Sequence, residues 1–215
     1  MLEGGNQACG LVGERAAAGA GLHERGTPGA VGCVYGIPCG LVTHFHGFGS
    51  QRVPGELGFA LQNRGALFAL DAEHPNCLAP GKRPFHTIIP AMVTRDNKPV
   101  FVFGVMGGDM QPQGHVQVLM NWIDFGMNIQ MAGDAARVRH DGSASPTGLP
   151  EDPPGGEVFV ESGIPSATVT ALRAMGHTVK SGGSMGGYQG ILIDWEKGVL
   201  HGATESRKDG AALGY

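Results

Sequence analysis

Residues 101–115 read FVFGVMGGDMQPQGH, an apolar run followed by two adjacent glycines and then by the start of a helical pattern. Adjacent glycines weaken a helix or strand, because each loses more backbone freedom on folding than other residues. Gly107 and Gly108 therefore predict either a turn in which no side chain fits or a place where another group closely approaches the backbone. Between a strand and a helix N-terminus, bare N–H groups suit an anion: a phosphate, a carboxylate or the oxyanion of acyl transfer.

Two alternatives to an anion site exist for the glycine pair. A tight turn that binds nothing is the favoured interpretation when the glycines are considered alone. A nucleotide-binding loop fits less well, because the pattern is neither GxGxxG nor GxxxxGK[ST] and no acidic residue for a ribose is evident.

The segments around the glycine pair predict a hairpin and a helix. HTIIPAMV (residues 86–93) and PVFVFGV (residues 99–105) are typical of strands, and the polar residues TRDNK between them indicate a turn. A helix that begins near Gln113 and ends at Gly126 follows. Its predicted buried face has four apolar residues at helical spacing: Val116, Leu119, Met120 and Ile123.

The remaining elements are short strands and one further helix. The strand-like segments are ELGFALQ (residues 56–62), EVFVES, TVKSG, GILIDW and GVLHGA. Pro165 to Met175 predicts a helix, with a proline in its first turn and Gly176 just past its end. Because hairpins outnumber crossovers, we expect an α+β fold with largely antiparallel sheets and helices packed on them.

The composition excludes several classes of function. The 215 residues suffice for one domain with a full core, and a charged fraction of 16% with net charge -4 argues against a nucleic-acid or acidic-membrane partner. The apolar runs are too short to cross a bilayer, and the first residues lack a signal-peptide pattern. We therefore expect a soluble protein, cytoplasmic if the start is genuine, and leave the compartment of a complete protein unassigned.

Cysteine and histidine spacing argues against a metal site. No CxxC pair occurs among the four cysteines, Cys9, Cys33, Cys39 and Cys77. His44 and His46 would share one face of a strand, but no third ligand lies at a telling spacing. The sequence therefore predicts no metal and no cofactor.

A change in character near residue 40 divides the chain. Residues 1–40 contain 11 of the 38 glycines and show no apolar period of a strand or a helix, so we expect irregular structure there. Residues 41–215 have the patterns of a packed domain.

Three ordered segments carry a resemblance to a known family. They are GFGSQRVPGELGFALQNRG (residues 47–65), the stretch from GKRPFHT to WIDFGMN (residues 81–128), and GATESRKDGAALGY (residues 202–215). From about Thr43 to Tyr215 the chain resembles the small subunit of the gamma-glutamyltransferase (gamma-glutamyltranspeptidase) family. The resemblance implies an N-terminal-nucleophile hydrolase with an αββα sandwich, of which this chain supplies a part. The family's precursor cuts itself, and its new N-terminal threonine transfers gamma-glutamyl or related acyl groups, as from glutathione, to water, an amino acid or a peptide.

The resemblance also implies roles for single residues. Gly107 and Gly108 match the pair whose amides form the oxyanion hole, and Thr43 matches a hydroxyl residue that positions the catalytic threonine. His86 and Thr87 stand where many members have two serines that contact the substrate carboxylate, and both still offer hydrogen bonds. For His86, a structural histidine is the open alternative.

Two departures from the family concern the substrate. Arg64 and Leu67 stand where an amide and a carboxylate usually hold the substrate's amino group, and the sequence QNRG resembles the acylase-like branch of the family. Arginine repels an ammonium and attracts a carboxylate, so we expect glutaryl-type or other amine-free acyl groups to be preferred. The alternative for Arg64 is an exposed turn residue, and for Arg207 we expect a surface salt bridge without a catalytic role.

The nucleophile is the largest departure from the family pattern. Thr27 is the hydroxyl residue nearest the expected position, but Pro28 follows it and the alternating strand is absent, which argues against it. One hypothesis is that residues 1–40 are a shifted reading frame or a mistaken start. The other is a truncated, catalytically inactive paralogue that binds an acidic ligand or a protein partner. In either case we expect the chain alone to be inactive and a complete enzyme to include a large-subunit-like segment as partner.

Overall fold

A four-stranded antiparallel sheet carries the glycine pair at one end. The computed structural model describes residues 29–34, 37–42, 49–56, 61–142 and 156–213. Strands β3 (Ala91–Arg95), β4 (Lys98–Met106), β8 (Gly187–Asp194) and β9 (Val199–Thr204) lie in the order β3-β4-β8-β9. Each neighbouring pair is antiparallel, which confirms the predicted α+β class with largely antiparallel sheets.

The predicted hairpin at β3 and β4 is confirmed, with a later start. Asp96 and Asn97 have positive φ angles of 51° and 59°, as a tight hairpin turn requires, and both residue types tolerate them. Residues 86–90 were predicted as the beginning of the first strand but lie in neither a helix nor a strand. Pro90 has no N–H group to donate, so pairing begins only at Ala91.

A second sheet of three strands includes the one parallel pair among the described strands. It has the order β5-β6-β7, with β5 at Val138–Asp141, β6 at Glu157–Val160 and β7 at Val179–Ser181. Strands β6 and β7 are parallel and are joined by a helix at Ser166–Ala174 (α3 below), which provides the crossover. The helix predicted from Pro165 to Met175 is thus confirmed, and Gly176 follows it with φ +96°.

The helix after the glycine pair buries a different face from the predicted one. This helix, α1, spans Met110–Ile123 and so begins three residues earlier than expected. Of the four residues of the predicted face, Leu119 packs against the core, but Val116, Met120 and Ile123 are 55%, 44% and 60% exposed. The residues that are buried are Met110, Gly114, His115 and Val118. The apolar pattern misled the prediction because Gly114 has no side chain, so the helix approaches β4 closely there: an added Cβ would lie 2.6 Å from Val105 Cγ1.

The core lies between the four-stranded sheet and two helices. It is formed by Phe101, Phe103, Val105, Val118, Ile129, Ala132, Tyr188 and Ala203. Ile129 and Ala132 belong to α2 (Ile129–Asp134), a helix that the sequence did not predict, and the Asn128 side chain accepts a hydrogen bond from the Met131 N–H at its start. The sheet and both helices therefore hold the end of β4 rigidly in place.

Two further strands lie in the region expected to be irregular. β1 (Gly29–Val34) and β2 (Ile37–Val42) form an antiparallel pair, so that expectation is wrong for these two segments. The glycine-rich sequence of these two segments has no alternation of apolar and polar residues from which a strand could be predicted. The strand predicted at residues 56–62 lies mostly outside the described residues, and its last two described positions, Leu61 and Gln62, belong to no strand. Among the helices of the described part of the chain, none is long and apolar enough to span a membrane.

Candidate functional site

The turn between β4 and α1 presents backbone N–H groups to its exposed side. Gly107 and Gly108 have φ angles of +137° and +61°. The Gly107 carbonyl accepts a hydrogen bond from the Met110 N–H at 3.2 Å, and the Gly108 carbonyl accepts one from the Gln111 N–H at 3.0 Å. Because the C=O and N–H of one trans peptide point in opposite directions, the N–H groups of Gly108 and Asp109 face away from the helix. No acceptor for the Gly107 or Gly108 N–H lies in the described part of the chain.

A second glycine segment explains why the turn needs Gly107. A Cβ on Gly107 would lie 2.7 Å from the Cα of Gly186, which immediately precedes β8. A Cβ on Gly186 would in turn overlap the Met106 carbonyl oxygen. The Met106 carbonyl therefore lies close to Gly186 and points towards β8. Because this carbonyl and the Gly107 N–H belong to one peptide, the Gly107 N–H points to the other side. Gly108 has open space around it, so only its positive φ demands glycine.

Arg64 and Thr87, both predicted to bind substrate, are in contact. Arg64 begins a short 3-10 helix (Arg64–Leu67), and its Nε donates a hydrogen bond to Thr87 Oγ1 at 2.6 Å. Arg64 is half-buried, and this burial lowers the pKa of its guanidinium. Its backbone N–H donates to Gln62 Oε1 at 2.6 Å. Arg64 is therefore a half-buried residue rather than an exposed one, and its contact with a substrate stays a prediction.

Gln111 connects this pair to the glycine turn. Its Nε2 donates to the Thr87 carbonyl at 2.8 Å and to the Gly108 carbonyl at 3.2 Å. The hydrogen bonds thus run from Arg64 through Thr87 and Gln111 to Gly108. Sequence reasoning missed Gln111, because α1 has three glutamines and no pattern distinguishes this one from Gln113 and Gln117.

The two histidines near the site differ in their surroundings. His86 is exposed, and within the described residues no hydrogen bond or ion pair joins it to Arg64, Thr87 or the turn. His115, which was not predicted, is buried below Gln111: its Nδ1 lies 2.6 Å from the Gln111 carbonyl oxygen, and its ring centroid lies 5.1 Å from that of Phe103. Burial lowers the pKa of His115, which favours a neutral ring that supports the first turn of α1.

A network of charged residues holds the segment that directly precedes Gly186. Arg137 and Glu205 form an ion pair of 2.6 Å with side chains 1% and 0% exposed. Arg137 Nη1 also donates to the Met185 carbonyl at 2.8 Å, directly before Gly186. Burial raises the pKa of Glu205 and lowers that of Arg137. The network therefore fixes the segment on which Gly107 packs.

Arg207 belongs to this network and is not a surface ion pair. Its side chain is 16% exposed and donates to both carboxylate oxygens of Glu161 at 2.6 Å and to Glu205 Oε2 at 3.0 Å. It also donates to the carbonyls of Gly133 and Ala135 at 2.9 and 2.8 Å. The expected surface salt bridge is thus corrected to a largely buried one, because β9 and α2 enclose the guanidinium.

Two predicted residues cannot be placed against this geometry. Thr27 and Thr43, the candidate nucleophile and its positioning residue, lie outside the described residues. Over the described ranges, no group of three His, Cys, Asp or Glu side chains could hold a metal ion.

Comparison with known proteins relates the chain to solved and curated relatives. The family model described as gamma-glutamyltranspeptidase matches residues 42–215. An oxamate amidohydrolase proenzyme of Klebsiella pneumoniae is 36% identical over 177 residues, which cover 80% of this chain and 32% of that protein. The structure of cephalosporin acylase from Bacillus halodurans has a TM-score of 0.60 and 43% identity, over 74% of this chain and 28% of that one. The gamma-glutamyltranspeptidase from Pseudomonas nitroreducens complexed with L-DON has a TM-score of 0.67 and 26% identity, over 84% of this chain and 94% of that one.

These matches establish the fold and show how much of its relatives' length the chain covers. The predicted N-terminal-nucleophile hydrolase fold is confirmed by the structural similarity. The chain spans about a third of the length of the curated relatives it matches. The chain belongs to the gamma-glutamyltranspeptidase family and covers part of such a protein.

Proposed function

We propose that this chain supplies the oxyanion-binding turn and the acyl-group site of an amide-cleaving or acyl-transferring enzyme. The observation that carries the proposal is the chain of hydrogen bonds from Arg64 through Thr87 and Gln111 to Gly108. It links a guanidinium to a turn whose N–H groups have no acceptor among the described residues, which supports the proposal. A cation for the acyl carboxylate and donors for the reacting carbonyl are what such a reaction needs in one place.

The role of each residue in the proposal follows from its chemistry. As the nucleophile adds to the amide carbon, the carbonyl oxygen becomes an oxyanion and accepts hydrogen bonds from Gly107 and Gly108. One donor of this kind is worth about 3 kcal/mol of barrier. The nucleophile is the N-terminal threonine that the family resemblance implies. Thr27 is the nearest hydroxyl residue, but Pro28 after it argues against that role, and Thr43 is the residue that positions the nucleophile's amine. Water or an amino acid or peptide accepts the acyl group, and a large-subunit-like segment completes the site.

We further propose that the acyl group is glutaryl-type or otherwise lacks an amine. Arg64 attracts a carboxylate and repels an ammonium, and the half-buried Leu67, at the other end of the same 3-10 helix, offers an ammonium no hydrogen bond. Relatives of this chain include one named for oxamate, one for cephalosporin and one named as glutathione hydrolase-like, so the proposed acyl preference rests on Arg64 and Leu67. His86 and Thr87 stay proposed contacts for the acyl carboxylate.

The test measures turnover by the chain together with a large-subunit-like segment, and glutarate binding by the chain itself. Hydrolysis of glutaryl and gamma-glutamyl anilides is followed by colour, and glutarate binding is followed by calorimetry. We expect glutarate to bind, and Arg64→Leu to weaken that binding by roughly 10- to 100-fold, because a charged hydrogen bond is lost. Arg95→Leu is the control, since Arg95 is exposed at the opposite end of the β3–β4 hairpin.

Four outcomes separate the possibilities. Turnover of the glutaryl anilide above the gamma-glutamyl anilide supports the proposal, whereas equal or better gamma-glutamyl turnover overturns the acyl preference. Glutarate binding by the chain, without turnover of either anilide when the large-subunit-like segment is present, indicates the inactive ligand-binding alternative. Equal effects of Arg64→Leu and Arg95→Leu remove Arg64 from the site.

A further inference from the structure

The segment that contains Thr87 makes few hydrogen bonds to the rest of the described structure. Residues 83–90 belong to no helix or strand, and sheet pairing begins only at Ala91. Over the described residues, its hydrogen bonds are those of Thr87 with Arg64 and Gln111. The position of Thr87 relative to the glycine turn is therefore set by side chains of α1 and not by the sheet.

Gln111 spans the gap between the two parts of the site. Its amide N–H groups reach the Thr87 carbonyl on one side and the Gly108 carbonyl on the other. In the described part of the chain, no other side chain donates to both segments. Because the Gly108 carbonyl and the Asp109 N–H belong to one peptide plane, the bond to Gly108 also fixes the direction of that N–H group.

We propose that Gln111 is a positioning residue that sets the spacing between the Arg64–Thr87 pair and the Gly107–Gly108 turn, and thereby selects the length of the acyl group. The inference rests on the proposed function for its substrate. An acyl group must place its carboxylate at Arg64 while its reacting carbonyl reaches the turn. A fixed spacing admits one chain length best, whereas a loosened spacing admits several.

A matched residue on the same helix separates this role from ordinary stability. Gln117 also uses its side-chain amide to bind backbone: its Nε2 donates to the Val138 carbonyl at 2.8 Å and its Oε1 accepts from the Val138 N–H at 2.9 Å. These bonds reach β5, away from Thr87. Gln117→Met therefore removes comparable hydrogen bonds from α1 without touching the site, and it is the control for Gln111→Met.

The first measurement needs no ligand. Hydrogen exchange of the Arg64 Nε–H group and the chemical shift of the Gly108 amide are followed by NMR in both variants. We expect Gln111→Met to speed the Arg64 exchange by about three- to tenfold, the effect of losing one hydrogen bond, and to shift the Gly108 signal. Gln111→Asn, which is one methylene shorter, is a second variant with an intermediate effect. Unchanged Arg64 exchange, or equal changes in Gln111→Met and Gln117→Met, overturns the proposal.

The second measurement tests length selection with succinate, glutarate and adipate. We expect the wild-type chain to bind one of the three best, and Gln111→Met to reduce the ratio of best to next-best affinity at least about threefold. A uniform loss for all three acids overturns length selection. A wild-type chain that binds none of them rejects the acyl-carboxylate site and length selection with it, while the exchange result still decides whether Gln111 positions Thr87.

Discussion

Gly186→Ala tests whether the close packing of Gly186 against the Met106 carbonyl sets the orientation of the Met106–Gly107 peptide. Gly186 has φ +79°, and a Cβ there would overlap the Met106 carbonyl oxygen and lie 3.0 Å from Val105 Cγ1. The neighbouring Met185 carbonyl is held by buried Arg137, so the segment is not free to move aside.

The expected loss has two parts that a control separates. A positive φ costs a non-glycine residue roughly 1–2 kcal/mol, and steric overlap in a packed region adds about 1–3 kcal/mol. Gly186→Ala should therefore lower the free energy of unfolding by roughly 2–5 kcal/mol. Gly176→Ala should show the first part alone, because Gly176 has φ +96° and nothing lies within 4 Å of an added Cβ.

Equilibrium urea denaturation of the full chain measures both losses. We also expect Gly186→Ala to shift the Gly107 and Gly108 amide signals, which Gly176→Ala leaves in place. If the two variants lose the same stability within about 0.5 kcal/mol, or if the Gly107 signals do not move, Gly186 does not hold the turn and the reasoning is refuted.

Two further predictions concern the charged network behind the site. Arg137→Met leaves Glu205 buried beside Arg207 only, so the free energy of unfolding, measured by denaturation, should fall by about 3–5 kcal/mol. The double variant Arg137→Met, Glu205→Leu should recover much of that free energy, because no buried carboxylate is left unpaired. A loss below about 1 kcal/mol in the single variant speaks against the network. Burial alone would raise the pKa of Glu161, but hydrogen bonds from Arg207 and the Arg137 N–H outweigh it and lower that pKa. Stability from Glu161 is therefore present above its unfolded pKa and is lost as pH falls through the folded value. Between about pH 5, just above the unfolded pKa of a glutamate, and about pH 3, Glu161→Gln should lose less stability than the wild type, and an unchanged pH dependence in denaturation curves would contradict this.

Several elements were predictable because their signals are local. The turn at Asp96 and Asn97 lies between two apolar runs, and the helix that follows Pro165 ends at a glycine. In the same way, the pair Gly107 and Gly108 predicted a turn with an unusual backbone conformation between a strand and a helix. The buried face of α1 was not predictable, because its closest contact with β4 is made by Gly114, which has no side chain to count in an apolar pattern.

The sequence by itself determined the class of fold, the family and the special backbone of the glycine turn, since these depend on residues that are neighbours along the chain. Only the tertiary structure decided which residues hold the turn at Gly107 and Gly108 in place. Gly186 and Gln111 act on Gly107, Gly108 and Thr87 from distant parts of the chain, and the buried partners of Arg207 come from separate elements. Such contacts depend on the spacing of packed elements to within a few tenths of an ångström, and no local pattern of residue types encodes that spacing.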